Sequence, residues 1–256
     1  MKLTVLGCSG SVPGPGAPAS GYLVEADGFR LVVDFGNGTL AALQTLCDPF
    51  DIDAVLFSHL HPDHCADFAA LAVFRWYHPA PPYDPRRRRL AVHGPSDTAD
   101  RLAAAYAPNE SERASTDLSE VFEFHSFGEP AVRIGPLVVT AARVAHPCEA
   151  YGIRLEHDGR TMAYTGDTGP CAAVTDLAAG TDLLLAEATW TDSADRPADM
   201  HLSGRQAGAA ATDAGARQLV LTHVAPWTDR AAVLAEARMA FSGPVWLAEP
   251  GAGYEI

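Results

Sequence analysis

Apolar residues fall along this chain in short runs bounded by turn residues and in longer stretches with helical spacing. The runs Leu3–Leu6, Tyr22–Ala26, Phe29–Asp34, Ile52–Phe57, Leu90–His93, Val121–His125 and Pro136–Val144 predict strands. So do Tyr151–Glu156, Thr161–Tyr164, Asp182–Glu187, Gln218–Leu221 and Val245–Ala248. Two joins predict hairpins, one about Asp27-Gly28 and one about His157-Asp158-Gly159. Helices are predicted over Leu40–Cys47, Phe68–Tyr77, Asp97–Tyr106, Ser203–Ala214 and Asp229–Phe241. Pro79-Ala80-Pro81-Pro82 stops the helix before it, because proline lacks the amide proton a helix needs. Pro108–Ser119 reads as a polar connection. Strands in two groups with helices interspersed argue for an α/β or α+β protein, and the pattern alone goes no further.

One polar stretch interrupts this pattern in an informative place. Directly after the apolar run Ile52–Phe57 comes Ser58-His59-Leu60-His61-Pro62-Asp63-His64-Cys65-Ala66-Asp67. It reads H-x-H-x-D-H, at a strand's end, with Pro62 and Asp63 suited to the first turn of a helix. A lone histidine there would be a surface residue. Imidazoles and a carboxylate gathered this closely suit zinc and its first-row neighbours.

Composition narrows the classes. With 256 residues, 48% hydrophobic and 20% charged, the chain can bury a large core. No linker divides it, so residues 1–256 are expected to form one domain. A net charge of −14 disfavours bulk nucleic acid as a partner, since such binding relies on basic side chains. The one basic run is Arg86-Arg87-Arg88-Arg89, within an irregular Pro79–Arg89 segment that suggests a lid or a dimer contact. Cys8, Cys47, Cys65, Cys148 and Cys171 form no C-x-x-C pair and no regular framework, so they are expected to be unpaired. The first residues carry too short an apolar run for a signal peptide, and no stretch approaches a membrane span. A cytoplasmic location is the expectation. The glycine-rich loop Gly7–Gly16 lacks P-loop spacing.

The H-x-H-x-D-H stretch resembles the signature of the metallo-β-lactamase-fold hydrolases. That resemblance extends along nearly the whole chain: His146 in V-A-H-P, Asp167 in Y-T-G-D-T and His223 in L-T-H-V each follow a predicted strand. It implies a four-layer αββα sandwich of the α+β class, built as two similar halves, although no sequence repeat is visible. It also implies two divalent metal ions. By the family pattern His59, His61 and His146 hold one, Asp63, His64 and His223 hold the other, and Asp167 bridges them. Zinc fits this donor set first, with manganese or iron as alternatives. His61 stands where redox di-iron relatives carry an acidic residue, which disfavours that chemistry.

The run G-C-S-G-S-V-P followed by L-V-V-D-F-G-N-G resembles the ribonuclease Z-like branch, in which the residue matching Asp34 sits behind the metal ligands. Glu187 in E-A-T and His201 in H-L-S match a pair found in its phosphodiesterases. The resemblance implies that His201 meets the scissile phosphate and protonates the leaving oxygen, oriented by Glu187, that Asp63 helps deprotonate the attacking water, and that Ser203 contributes to substrate binding. His93 is expected to be structural, and His125 and His157, which lack motif context, to be ordinary surface or core residues. Only 20 residues separate His146 from Asp167, too few for an RNA-clamping arm. The expected substrate is therefore a small phosphodiester, with 3′,5′-cyclic nucleotides opened to 5′-monophosphates. The alternatives are an RNA 3′-end nuclease and a lactonase or thioesterase-type metallo-hydrolase. Trp76, Tyr77 and Trp190 are candidate base-stacking side chains. A homodimer is expected by resemblance alone, and a membrane partner is not.

Overall fold

The structure, a computed structural model, describes residues 1–128 and 131–256. The first sheet takes β1 (Lys2–Gly7), β2 (Gly21–Ala26), β3 (Phe29–Phe35), β4 (Ala54–Leu56), β5 (Leu90–Gly94) and β6 (Phe122–Ser126) in that spatial order. The second takes β7 (Val132–Ile134), β8 (Leu137–Arg143), β9 (Tyr151–His157), β10 (Arg160–Tyr164), β11 (Leu183–Glu187), β12 (Leu219–Thr222) and β13 (Val245–Leu247), again in order. The chain ends in β14 (Gly253–Glu255), which returns to pair antiparallel with β1. The helices are α1 (Thr39–Leu43), α2 (Pro62–Cys65), α3 (Phe68–Tyr77), α4 (Thr98–Tyr106), α5 (Glu110–Ser115), α6 (Ala172–Leu177), α7 (Gly204–Ala214) and α8 (Arg230–Ala240).

Burial on both faces explains why the central strands read as continuous apolar runs rather than alternating ones. In β4, Ala54 and Leu56 point into the core between the sheets, while Val55 packs outward under α3 and α4. In β11, Leu183 and Leu185 face the same inner core, and Leu184 and Ala186 face α7 and α8. The result is four layers, helix–sheet–sheet–helix, with one core between the sheets and one beneath each helical layer. Among the described residues no helix is long and apolar enough to cross a membrane.

The strand pattern repeats where the sequence does not. Strands β1 to β3 are antiparallel neighbours and β3 to β6 run parallel. Strands β8 to β10 and β10 to β13 do the same. In each half the parallel strands end on the same edge, where ligand sites of open sheets form.

Several local expectations are corrected. The predicted helix Leu40–Cys47 shortens to Thr39–Leu43, because turns take over at Gln44–Cys47. Helix α5 forms inside the expected polar connection: Asn109 caps it by accepting from the Glu112 amide at 3.0 Å. Strands β7 and β14 and helix α6 are too short for periodicity to reveal. Pro79–Arg89 is not a lid. Tyr83 donates to the Phe50 carbonyl, Arg88 pairs with Asp53 and Arg86 with Glu120. These partners precede β4 and β6, at the edge opposite the His59–His64 stretch.

Candidate metal centre

Asp34, at the end of β3, anchors the site from behind. It is fully buried and adopts a left-handed backbone (φ 58°). Its Oδ1 accepts from the Ser58 amide at 2.7 Å, and its Oδ2 from Ser58 Oγ at 2.8 Å and the Tyr164 hydroxyl at 2.9 Å. The same Oδ2 lies 2.8 Å from His64 Nδ1, which fixes that ring with Nε2 pointing into the site. Asp34 thus ties β3, the start of the His loop and β10 together. Asp67, the last polar residue of the H-x-H-x-D-H stretch, accepts from the Leu40 amide at 2.9 Å and secures α1.

The seven residues expected at the centre converge from both halves. His59 Nε2 and His61 Nδ1 are 3.1 Å apart, and His146 Nε2 is 3.2 Å from His61 Nδ1. Asp167 Oδ2 stands 3.6 Å from His59 Nε2. On the other side, His223 Nε2 is 3.1 Å from Asp63 Oδ2 and 3.3 Å from Asp167 Oδ2. His64 Nε2 completes this set, 3.5 Å from Asp63 Oδ2 and 3.2 Å from Asp167 Oδ1. Zinc–ligand bonds of about 2.0–2.1 Å put tetrahedral donor atoms roughly 3.4 Å apart, so these spacings suit two ions with Asp167 between them.

Two further observations test that fit. His64 Nε2 and Asp167 Oδ1 are both buried without a hydrogen bond among the described residues, and such orphaned groups need a partner. A cation held by these residues would supply it. The protonation states agree for all but His64: there burial acts downward, but the Asp167 and Asp34 carboxylates outweigh it and push the ring up, an attraction that a bound cation would replace at Nε2. Burial, with the positive charge of neighbouring imidazoles, depresses His59, so it stays neutral, as metal ligation would require. His61 and His146 are also lowered, mainly by burial. For Asp63 burial acts upward, but hydrogen bonds from His223 and His64 outweigh it and hold the carboxylate ionised. Asp167 is depressed likewise, against burial, by His223, His64 and His59.

Outer partners orient the remaining rings. His146 Nδ1 donates to the Met200 carbonyl at 2.9 Å. His223, at a left-handed φ of 55°, has Nδ1 2.8 Å from Thr189 Oγ1, whose proton goes to Glu187 Oε2 at 2.8 Å. The Gly7–Gly16 loop lies against this ring: a Cβ on Gly10 would stand 2.2 Å from the His223 carbonyl oxygen, so only glycine fits.

Glu187 is fully buried at the end of β11 and accepts from the Thr168 amide at 2.8 Å and from His201 Nδ1 at 2.9 Å. For His201 burial acts downward, but the charge and hydrogen bond of Glu187, with Asp167 beyond, raise it to about 9. Its Nε2 makes no hydrogen bond among the described residues. A cavity of about 210 Å³ lies in front, lined by Ser11, His61, Asp63, His146, Asp167, Met200, His201 and His223 among others.

Not every expected residue reaches this cavity. Ser203 is buried and caps α7, accepting from the Gln206 amide and donating to Asp192, so no free hydroxyl is left for a substrate. Trp190 packs edge-on against His201 at 5.1 Å, and Trp76 packs on Tyr106 on the outer helical layer. Tyr77 adjoins Trp76 there. Conversely, Thr189, Ser58 and Tyr164 serve the site without a signal in their spacing. Thr189 stood in view in E-A-T, but its bond to His223 needs the fold.

Residues 29–224 match a family described as a beta-lactamase superfamily domain. An uncharacterized protein of Mycobacterium leprae is 47% identical over 260 residues, covering 100% of this chain and 89% of its own. The probable metallo-hydrolase YhfI of Bacillus subtilis is 27% identical over 260 residues and 100% of both chains. The YhfI crystal structure aligns with a TM-score of 0.84 at 28% identity, covering 100% of this chain and 99% of that one. The short form of human tRNase Z shares the fold, with a TM-score of 0.78 at 21% identity over 100% and 99% of the two chains.

Proposed function

The chain belongs to the beta-lactamase superfamily and is a metallo-hydrolase, and within that family we propose a phosphodiesterase that opens 3′,5′-cyclic nucleotides to 5′-monophosphates. The observation that carries the reading is the Glu187–His201 pair. An imidazole held by a buried carboxylate at 2.9 Å, with its second nitrogen free at the rim of the cavity, is built to give up a proton. Against burial, the charge and hydrogen bond of Glu187 push His201 upward, toward the protonated form a general acid needs.

Two divalent cations, held by His59, His61, His146 and Asp167 and by Asp63, His64, His223 and Asp167, would supply an activated water and neutralise the phosphoryl oxygens. Zinc suits these donors best, with manganese or iron as alternatives. Asp63 keeps Oδ1 free of hydrogen bonds among the described residues and takes the proton of the attacking water. As the bond from phosphorus to O3′ breaks, His201 Nε2 delivers its proton to that oxygen. Asp34 fixes the His64 ring throughout. The β9–β10 hairpin fills the interval between His146 and Asp167, which supports a small substrate rather than a clamped RNA.

The test is cyclic AMP hydrolysis by protein loaded with zinc or manganese, beside His201→Ala and Asp63→Ala. We expect 5′-AMP, with kcat reduced about 10²–10⁴-fold in each variant. No turnover by protein shown to hold two metals would sink the cyclic-nucleotide substrate. Linear RNA 3′ ends and lactones would then be assayed.

A further inference from the structure

A second cleft of about 390 Å³ opens beside the metal cavity and shares His61 with it. It is lined by Leu60, Ser96, Asp97, Arg101, Cys148 and Glu149. Its walls are fixed. Ser96 donates through its amide and its hydroxyl to Glu149, at 3.1 and 2.7 Å, and Tyr151 donates to the same carboxylate at 2.8 Å. Glu149 therefore joins the loop before α4 to the loop that carries His146, and its acceptors are spent.

Arg101 is different. Among the described residues it is the one arginine whose side chain has neither a hydrogen bond nor an ion pair. Every other one holds a carboxylate, a carbonyl or a hydroxyl. In a chain of net charge −14 a half-buried guanidinium without a partner is out of keeping. Asp97, one helical turn earlier on the same face, is also unpartnered among the described residues.

We propose that Arg101 and Asp97 form the base subsite for the nucleotide whose phosphate occupies the neighbouring metal cavity, and that they favour adenine over guanine. This rests on the phosphodiesterase reading. The cleft carries Arg101 against Asp97 and Glu149, so a second phosphate would face two carboxylates. A neutral ring with hydrogen-bonding edges does not. Adenine offers an acceptor, N7, beside a donor, the 6-amino group. Guanine offers two acceptors, N7 and O6. The guanidinium donates to N7, and the Asp97 carboxylate accepts from the 6-amino group but repels O6. Leu60 supplies apolar contact for the ring.

The experiment compares steady-state constants of the two-metal enzyme for cyclic AMP and cyclic GMP with those of Arg101→Met, Arg101→Lys and Asp97→Ala. Wild-type turnover of bis(p-nitrophenyl) phosphate, which has no base, checks the phosphodiesterase reading by itself. Arg101→Met keeps the apolar stem, and is expected to raise KM for cyclic AMP about tenfold with kcat within about twofold. Arg101→Lys should recover part of that loss. Asp97→Ala should shift preference toward cyclic GMP. Failure on bis(p-nitrophenyl) phosphate overturns the phosphodiesterase reading. Turnover of it with neither cyclic nucleotide accepted, or with KM unmoved in Arg101→Met, overturns the base subsite alone. A kcat-only effect in folded Arg101→Met does so too.

Discussion

Asp34 has every oxygen lone pair that matters engaged, and its one outward action is on His64. Replacing it by asparagine keeps the shape but removes the charge and puts an amide donor near the Ser58, Tyr164 or His64 protons. Metal affinity should fall about 10–100-fold, measured by competition with a chromophoric chelator. An unchanged affinity would mean that His64 is oriented by packing alone. His93 supports a prediction about acid. Burial, with His125 stacked on it at 4.7 Å, lowers it from 6.5 to about 4. The folded state therefore keeps His93 neutral where the unfolded chain would protonate it. Its contribution is fully present above pH 6.5 and is lost as pH falls from 6.5 toward 4. Allowing for the partly exposed ring, this is worth about 1 kcal/mol. His93→Gln should flatten the urea-midpoint profile across that window, and an unaltered slope there would count against it. At this scale the sequence was readable where side chains cluster in order, as in H-x-H-x-D-H. It was unreadable where a residue acts through a distant partner, as with Tyr164 and Asp34, 130 positions apart.

Among the elements, the long ones were legible because their burial is continuous. Helix α3 ends where Phe68–Tyr77 predicts, since proline follows within two residues of Tyr77. The lid expected of Pro79–Arg89 is the piece that fails. Its irregular composition suggests a lid, but buried Arg75 on α3 holds it down, donating to the Arg88 carbonyl at 3.0 Å and to the Tyr83 hydroxyl at 3.3 Å. No local pattern reveals that anchor, because a lone arginine in a helix ordinarily faces water. The segment is thus part of the outer layer. Tyr83→Phe removes the hydroxyl's bonds to Phe50 and Arg75 and should cost about 1 kcal/mol in urea unfolding. It should leave KM and kcat unchanged, and a changed KM would restore the lid.

For the molecule as a whole, the repeated strand order of the two sheets was hidden in the sequence, since the halves share topology and not residues. A buried strand demands apolar side chains of suitable size and is satisfied by many different ones. What the sequence did carry was the order of the polar residues at the strand ends, and those residues belong to both halves. His59, His61, Asp63 and His64 follow β4, while His146, Asp167 and His223 follow β8, β10 and β12. The proposed ions therefore bridge the two sheets, and metal removal should loosen the interface between them as well as stop catalysis. Without cations the centre also leaves His64 Nε2 and Asp167 Oδ1 unpaired inside the protein. Metal in excess over Kd by about 1,000-fold stabilises the native state by roughly 4 kcal/mol. For a chain of this length that corresponds to a fall in Tm of about 10 °C on chelation. Scanning calorimetry of the protein with and without a chelator measures it. Asp167→Asn, which weakens the one carboxylate shared by both positions, should start from a lower Tm and respond less to the chelator. A Tm that ignores chelation in protein proven to hold two metals would mean that the sheets are clamped by their apolar core alone, and that the cations serve only the chemistry.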